Sequence, residues 1–245
     1  MRSILVYAGL FFFLAQAFAA SAQEASCVRC HKKLVKGKVL HAALETNIGC
    51  RVCHAGIIAK YRPHKKSNTG DKGLIATQPE LCYSCHDKAL FTRKDVHAAL
   101  GMGCTGCHNP HSTDTAKLLV SSQPELCYTC HDKAMFTRKS VHAAVGMGCT
   151  GCHNPHASDE MALLVKKPVS VCLECHGDVM NKPHMDIGSP SARHPLGDTV
   201  KKLSNPAQLD KPFYCGSCHD PHSTDTPKLL RFNAQSAQDL CRNCH

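Results

Sequence analysis

The sequence predicts a mainly α, irregular fold built from repeats, with short helices and loops, no significant sheet and no ordinary apolar core. Three observations carry that expectation. Large apolar side chains are scarce: Trp is absent and aromatic residues are only 5% of the chain, while much of the 43% counted as hydrophobic is Cys, Ala and the first twenty-odd residues. The chain repeats itself, Leu81–Leu126 aligning with Leu126–Val171 at a period of 45 residues. Finally, all 18 cysteines fall into Cys-x-x-Cys pairs, and His follows every pair directly.

The N-terminal segment reads as an export signal. Arg2 is followed by an apolar run from Ile4 to Phe18, broken only by Gln16, and then by the small-x-small triplet Ala20-Ser21-Ala22. Cleavage is expected after Ala22, with Ala17-Phe18-Ala19 the second choice. The run is shorter than the ~20 residues of a spanning helix, and no cysteine stands at the cleavage point to take a lipid. The division is therefore 1–22 signal peptide and 23–245 one repeat-built domain, with no membrane-spanning segment of its own after cleavage.

The nine motifs run Cys27, Cys30, His31; Cys50, Cys53, His54; Cys82, Cys85, His86; Cys104, Cys107, His108; Cys127, Cys130, His131; Cys149, Cys152, His153; Cys172, Cys175, His176; Cys215, Cys218, His219; and Cys241, Cys244, His245. Cys-x-x-Cys-His is the attachment signature of haem c. The two thiols add across the porphyrin vinyl groups, and the adjacent imidazole reaches the iron from the same face as its proximal ligand. Disulfides would also explain an even cysteine count, and zinc sites also use Cys-x-x-Cys. Neither requires His after every pair. Nine covalently bound haems c are expected. The 223 residues left after the signal (245 less 22) give about 25 per haem, so the cofactors themselves must serve as the core.

Of 18 histidines, nine are proximal. The other nine, His41, His64, His97, His111, His142, His156, His184, His194 and His222, supply one distal ligand per iron. The reading is six-coordinate, low-spin bis-histidine ligation throughout, with potentials below those of His/Met centres. Met102 and Met147 lie two residues before a motif cysteine, too close to reach the far face of that haem. Packing suits them better, and it suits Tyr83 and Tyr128 inside the motifs as well.

The units run approximately 27–80, 81–125, 126–170 and 171–239, with a half unit at 240–245. Each regular unit reads motif, spare His, second motif, then Asn-Pro-His. His111 follows proximal His108 by three residues and cannot reach the far side of the same porphyrin. It must serve a neighbouring haem, as must His156 and His222. The fourth unit carries three spare histidines, and His184 or His194 is expected to ligate outside its own half unit. Locally, Gln-Pro-Glu-Leu before Cys82 and Cys127 suggests a helix with Pro in its first position. Asp95 or Ser140 can cap a short helix through His97 or His142, closed by Gly101 or Gly146.

A formal charge of +10 invites a nucleic-acid or membrane-surface partner. Losing Arg2 leaves +9. Nine bis-histidine haems with two propionates each add about −9 when oxidised and about −18 when reduced. The basic residues are then propionate partners and solvated surface, and no nucleic-acid partner is expected.

These residues resemble the doubled Cys-x-x-Cys-His multihaem cytochromes, over essentially all of residues 23–245. The stretches VHAALGMGCTGCHNPH and VHAAVGMGCTGCHNPH are similar to those of the periplasmic decahaem cytochromes that pair with outer-membrane porins. That resemblance implies a periplasmic or porin-docked electron conduit in extracellular or anaerobic respiration. Its partners would be an inner-membrane or periplasmic donor, an outer-surface cytochrome acceptor and the porin itself. Nine motifs rather than ten, and an irregular fourth unit, are departures. The expected activity is electron carriage rather than enzymic turnover. The alternatives are a multihaem reductase of a small oxyanion and a subunit of an extracellular cytochrome filament.

Overall fold

A computed structural model of the chain describes residues 27–46, 49–58, 64–66, 71–181, 184, 204–205 and 208–243. The expected signal peptide, His194, Cys244 and His245 lie outside the described residues. The chain forms two compact units, one of residues Met1–Lys88 and Ala99–Ser122 and the other of Ala89–Ala98 and Gln123–His245.

Helices are short, as the repeat and its turn residues predict. The longest described, Pro168–His176, has nine residues and begins on proline, whose fixed φ and missing N–H suit a first turn. Glu80–Tyr83 and Glu125–Tyr128 each carry the first cysteine of a motif. Pro79 and Pro124 stand one residue before these helices, not in their first position.

The helix expected from Asp95 or Ser140 does not form. Both residues open two-residue strands, and 3-10 turns over Ala98–Met102 and Ala143–Met147 follow instead. The reason is tertiary pairing. β-branched Val96 and Val141 favour extended backbone and find strand partners, opposite Ala157 and Ser223 respectively. The turn after His142 ends at Gly148, with φ +88°, rather than at Gly146.

Among the described residues the sheets are five antiparallel two-stranded ladders. In the first unit, Val39–Leu40 pairs with Ser112–Thr113 and Ile57–Ile58 with Lys65–Lys66. In the second, Asp95–Val96 pairs with Ala157–Ser158, Ser140–Val141 with Ser223–Thr224, and Ser204–Asn205 with Gln208–Pro212. Three of these ladders join a segment ending in a spare His to the segment that follows Pro-His.

After the second motif of each unit the chain folds back through a tight turn with two consecutive left-handed residues. These are Lys117 and Leu118 (φ 61° and 57°), Ala162 and Leu163 (53° and 58°), and Lys228 and Leu229 (54° and 57°). The N–H of Leu119, Leu164 and Leu230 closes each turn onto the carbonyl of Ala116, Met161 and Pro227. This is type I′ geometry, normally filled by Asn or Gly. A non-glycine residue held there costs of order 1–3 kcal/mol.

Buried apolar residues among those described are Ala157, Val169, Ala234 and Leu240, whereas six Ser and Thr side chains are buried. Two of those hydroxyls tie the segments that flank the ladders. Ser223 Oγ accepts from the Arg138 N–H at 3.1 Å and donates to the Met135 carbonyl at 2.9 Å. Ser112 ties Gly37 and Leu34 in the same way in the other unit. Large apolar side chains are instead exposed, and they gather beside the motifs: Leu40, Val96 and Val141 each precede a spare His, and Met102 and Met147 precede motif cysteines.

Ser223→Ala leaves a donor and an acceptor without partners at a site only 1% exposed. It is expected to cost about 1–3 kcal/mol, read as a lowered Tm of the haem-loaded protein, with Ser84→Ala, on an exposed face, near neutral.

Candidate haem-binding sites

Within each motif, one helical turn brings the three functional side chains together. The N–H of His54, His86, His108, His131, His153 and His219 bonds the carbonyl of the motif's first cysteine at 2.9–3.0 Å. Both thiols and the imidazole then project from one turn. None of the 17 described cysteines forms a disulfide.

Thiols of successive motifs also approach one another. Burial and a hydrogen bond with Cys104 push the Cys82 thiol up to about 11. The Cys53 thiol is raised by burial and by the Cys85 charge. In the second unit Cys172 and Cys215 share a hydrogen bond that raises the first and brings the second down to about 7. Cys152 is raised by burial and then by Cys175. The second, third and fourth motifs therefore have adjoining attachment points, and so do the sixth, seventh and eighth.

The histidines meet in pairs, one from a motif and one spare. In the first unit the ring centres of His31 and His64 are 5.9 Å apart, those of His86 and His41 6.1 Å, and those of His54 and His111 6.2 Å. In the second unit His131 faces His97 at 6.0 Å, His176 faces His142 at 6.0 Å, His153 faces His222 at 5.9 Å, and His219 faces His184 at 6.0 Å. A metal–imidazole bond is about 2 Å, so two rings sharing one iron have centres about 6 Å apart. The residues fit a six-coordinate haem iron. No group of three or more His, Cys, Asp or Glu converges as a metal cage among the described residues.

Burial lowers the affinity of three spare imidazoles for protons. His41 is lowered by desolvation and by His86. His111 is lowered by desolvation and then by His54. For His222, desolvation outweighs the opposing Asp220 carboxylate. A neutral imidazole is the form that ligates.

The model of the doubled Cys-x-x-Cys-His motif matches residues 41–90, 97–136, 142–181 and 205–245, more than half of the chain. The chain belongs to this family. It is a multihaem c-type cytochrome carrying covalently bound haem c, and such proteins transfer electrons. No curated protein matches the chain. Each matched segment but the last begins at a spare His, so the family frame is out of phase with units drawn from the first motif cysteine. Among the described residues no helix is long and apolar enough to cross a membrane.

Several supports of this cytochrome's histidines escaped sequence reasoning. The ladders place spare histidines side by side, with the N–H of His41, His97 and His142 bonded to the carbonyl of His111, His156 and His222 at 2.8–2.9 Å. Neighbours on a ladder turn to different partners: His41 faces His86 while His111 faces His54. Asn109, Asn154 and Asp220 each accept the N–H of the histidine two residues on, at 2.9–3.0 Å. This Asx turn sets the Pro-His segment. Phe91 and Phe136 place ring edges against His156 and His222, both at 4.9 Å. Gln78 and Gln123 reach 27 residues along the chain to the threonine inside the following motif, Thr105 and Thr150. Each support recurs at a fixed offset in the repeat, a signal the sequence does carry.

Met102 and Met147 are exposed. Tyr128 packs on Phe136, with the Lys133 ammonium 5.4 Å from its ring centre, and Lys88 takes the same place over Tyr83.

Because Asp220 natively fills the Asx position of the fourth unit, Asn154→Asp is expected to leave haem content and Tm unchanged. Asn154→Leu removes the acceptor and is expected to cost about 1 kcal/mol, measured by thermal denaturation of the holoprotein.

Proposed function

We propose that the chain is a nine-haem, bis-histidine electron conduit of the periplasm or outer membrane. The observation that carries this reading is the set of seven facing imidazole pairs at 5.9–6.2 Å, each joining a motif His to a spare one. His31, His54, His86, His131, His153, His176 and His219 act as proximal ligands. His64, His111, His41, His97, His222, His142 and His184 are their respective distal partners. His156 and His194 are left for His108 and His245. Bound haem supplies reversible one-electron chemistry at iron.

The chain's own part is to hold two imidazoles against each iron, so that no coordination position is left for a substrate. It also sets attachment points of successive motifs side by side, as the Cys82–Cys104 and Cys172–Cys215 contacts support. Close spacing favours transfer between centres, since tunnelling falls steeply with distance. Residues 1–22 are the export signal in this reading. The partners are an inner-membrane or periplasmic donor, an outer-surface cytochrome acceptor and an outer-membrane porin. The porin rests on the resemblance of the second and third units.

The reading is tested by intact mass, spectroscopy and native pull-down together. The mature protein is expected to carry nine haems, all low-spin, with no carbon monoxide adduct when reduced, and to co-purify with a porin. A high-spin, carbon monoxide-binding centre in the unaltered protein would point to the oxyanion reductase. Polymers of the chain in secreted material would point to the filament.

His142→Ala removes one distal ligand and is expected to convert a single centre to high spin while leaving haem content at nine. Electron paramagnetic resonance of the oxidised protein reads the change. All centres remaining low-spin would refute the assignment of His142.

A further inference from the structure

The left-handed turns after the second motifs are strained without being filled by the residues that tolerate the strain. Each presents the carbonyl of its first left-handed residue to the proximal imidazole nine residues upstream. His108 Nδ1 meets the Lys117 carbonyl at 2.9 Å, His153 the Ala162 carbonyl at 2.8 Å, and His219 the Lys228 carbonyl at 2.8 Å. The second carbonyl of each turn, from Leu118, Leu163 or Leu229, accepts the N–H of Asn109, Asn154 or Asp220, the residue just after the proximal histidine. A third bond, from Val120, Val165 or Arg231 to the carbonyl of the second motif cysteine, locks the register.

The first unit reaches the same geometry by another route. His54 Nδ1 meets the Lys72 carbonyl at 2.9 Å across 18 residues, with Lys72 at φ 57° and Gly73 at φ 66°. Side chains at the first position are Lys, Ala, Lys and Lys, so what the four turns share is a backbone conformation.

We propose that these turns are positioning devices for the proximal ligands, and that Lys72, Lys117, Ala162 and Lys228 tune their irons through main-chain carbonyls. A carbonyl at Nδ1 fixes the proton there and leaves Nε2 free for iron. It also raises the basicity of the imidazole, which favours the oxidised centre and lowers its potential. First-motif histidines are held differently. His86, His131 and His176 make no Nδ1 hydrogen bond among the described residues. Of their partners, His97 and His142 place Nδ1 against the Pro155 and Pro221 carbonyls, which accept at 2.9 and 3.0 Å, whereas His41, facing His86, accepts the Ala43 N–H at Nδ1. At the fifth and seventh motifs the carbonyl thus stands on the spare-histidine side.

This inference rests on the bis-histidine reading above. Its test compares Ala162→Gly with Ala162→Val, and Lys228→Gly with Lys228→Val, in the haem-loaded protein. Glycine accepts the left-handed conformation and keeps the carbonyl in place, whereas a β-branched residue resists it. The glycine variants are expected to retain parental potentials and low-spin g-values. Each valine variant should shift one low-spin signal and raise one potential, with haem content unchanged by mass. In the unaltered, fully reduced protein, the Nδ1 protons of His54, His108, His153 and His219 should exchange with solvent more slowly than those of His86, His131 and His176. Valine and glycine variants that titrate alike would overturn the proposal, and so would equal exchange rates if the valine variants do not fold. A haem count below nine in the unaltered protein would instead count against the electron-conduit reading, so the two failures are distinguishable.

Discussion

The fold depends on imidazole pairs rather than on an apolar core. With Ala157, Val169, Ala234 and Leu240 the buried apolar residues among those described, the chain cannot offset its own conformational entropy by burial of aliphatic side chains. Two contributions remain. Serine and threonine hydroxyls such as Ser112 and Ser223 satisfy the backbone of the ladders. The facing histidines bring imidazoles together from segments far apart in sequence, such as His54 with His111 and His153 with His222. An iron bound by both rings of such a pair closes a long loop, which is where a cross-link has most effect on the unfolded chain. The exposed apolar residues beside the motifs, Leu40, Val96 and Val141 among them, are then placed to cover porphyrin.

This constraint explains why the ladders are so short and yet so regular. A two-residue ladder contributes little stability by itself. Its effect is to hold two spare histidines in adjoining backbone positions while their rings turn to different motif histidines, as His142 and His222 do toward His176 and His153. One peptide hydrogen bond therefore links two facing imidazole pairs. A longer strand would bury more backbone in the sheet and leave less chain free to reach the next motif.

The chemistry of the site was legible in the sequence because covalent attachment demands fixed residue types at fixed spacing. Cys-x-x-Cys-His is a local statement, and the equal number of spare histidines follows from counting. That His111 cannot serve its own motif follows from the geometry of a porphyrin between two ligands. Local conformation was less legible. Asp95 and Ser140 have the side chains of helix caps, but the pairing of Val96 and Val141 with distant strands decided the backbone there. The left-handed turns were hidden for a different reason. Lys-Leu and Ala-Leu are not turn dipeptides by propensity, so hydrogen bonds back to the motif, at His108, His153 and His219 Nδ1 and from the N–H of Asn109, Asn154 and Asp220, hold them.

Strain of that kind has a consequence for how the repeat can vary. If side-chain identity mattered at the first turn position, Ala162 would be out of place among Lys72, Lys117 and Lys228. What cannot vary is the carbonyl direction, and the first unit keeps it despite a longer insertion by using glycine at the second position, Gly73. The proximal histidine is thus held from both sides, by the motif helix through its own N–H and by the turn through Nδ1. A ligand fixed at two points loses little freedom on binding iron and holds its geometry as the iron changes oxidation state. Small reorganisation on oxidation and reduction is what electron transfer requires.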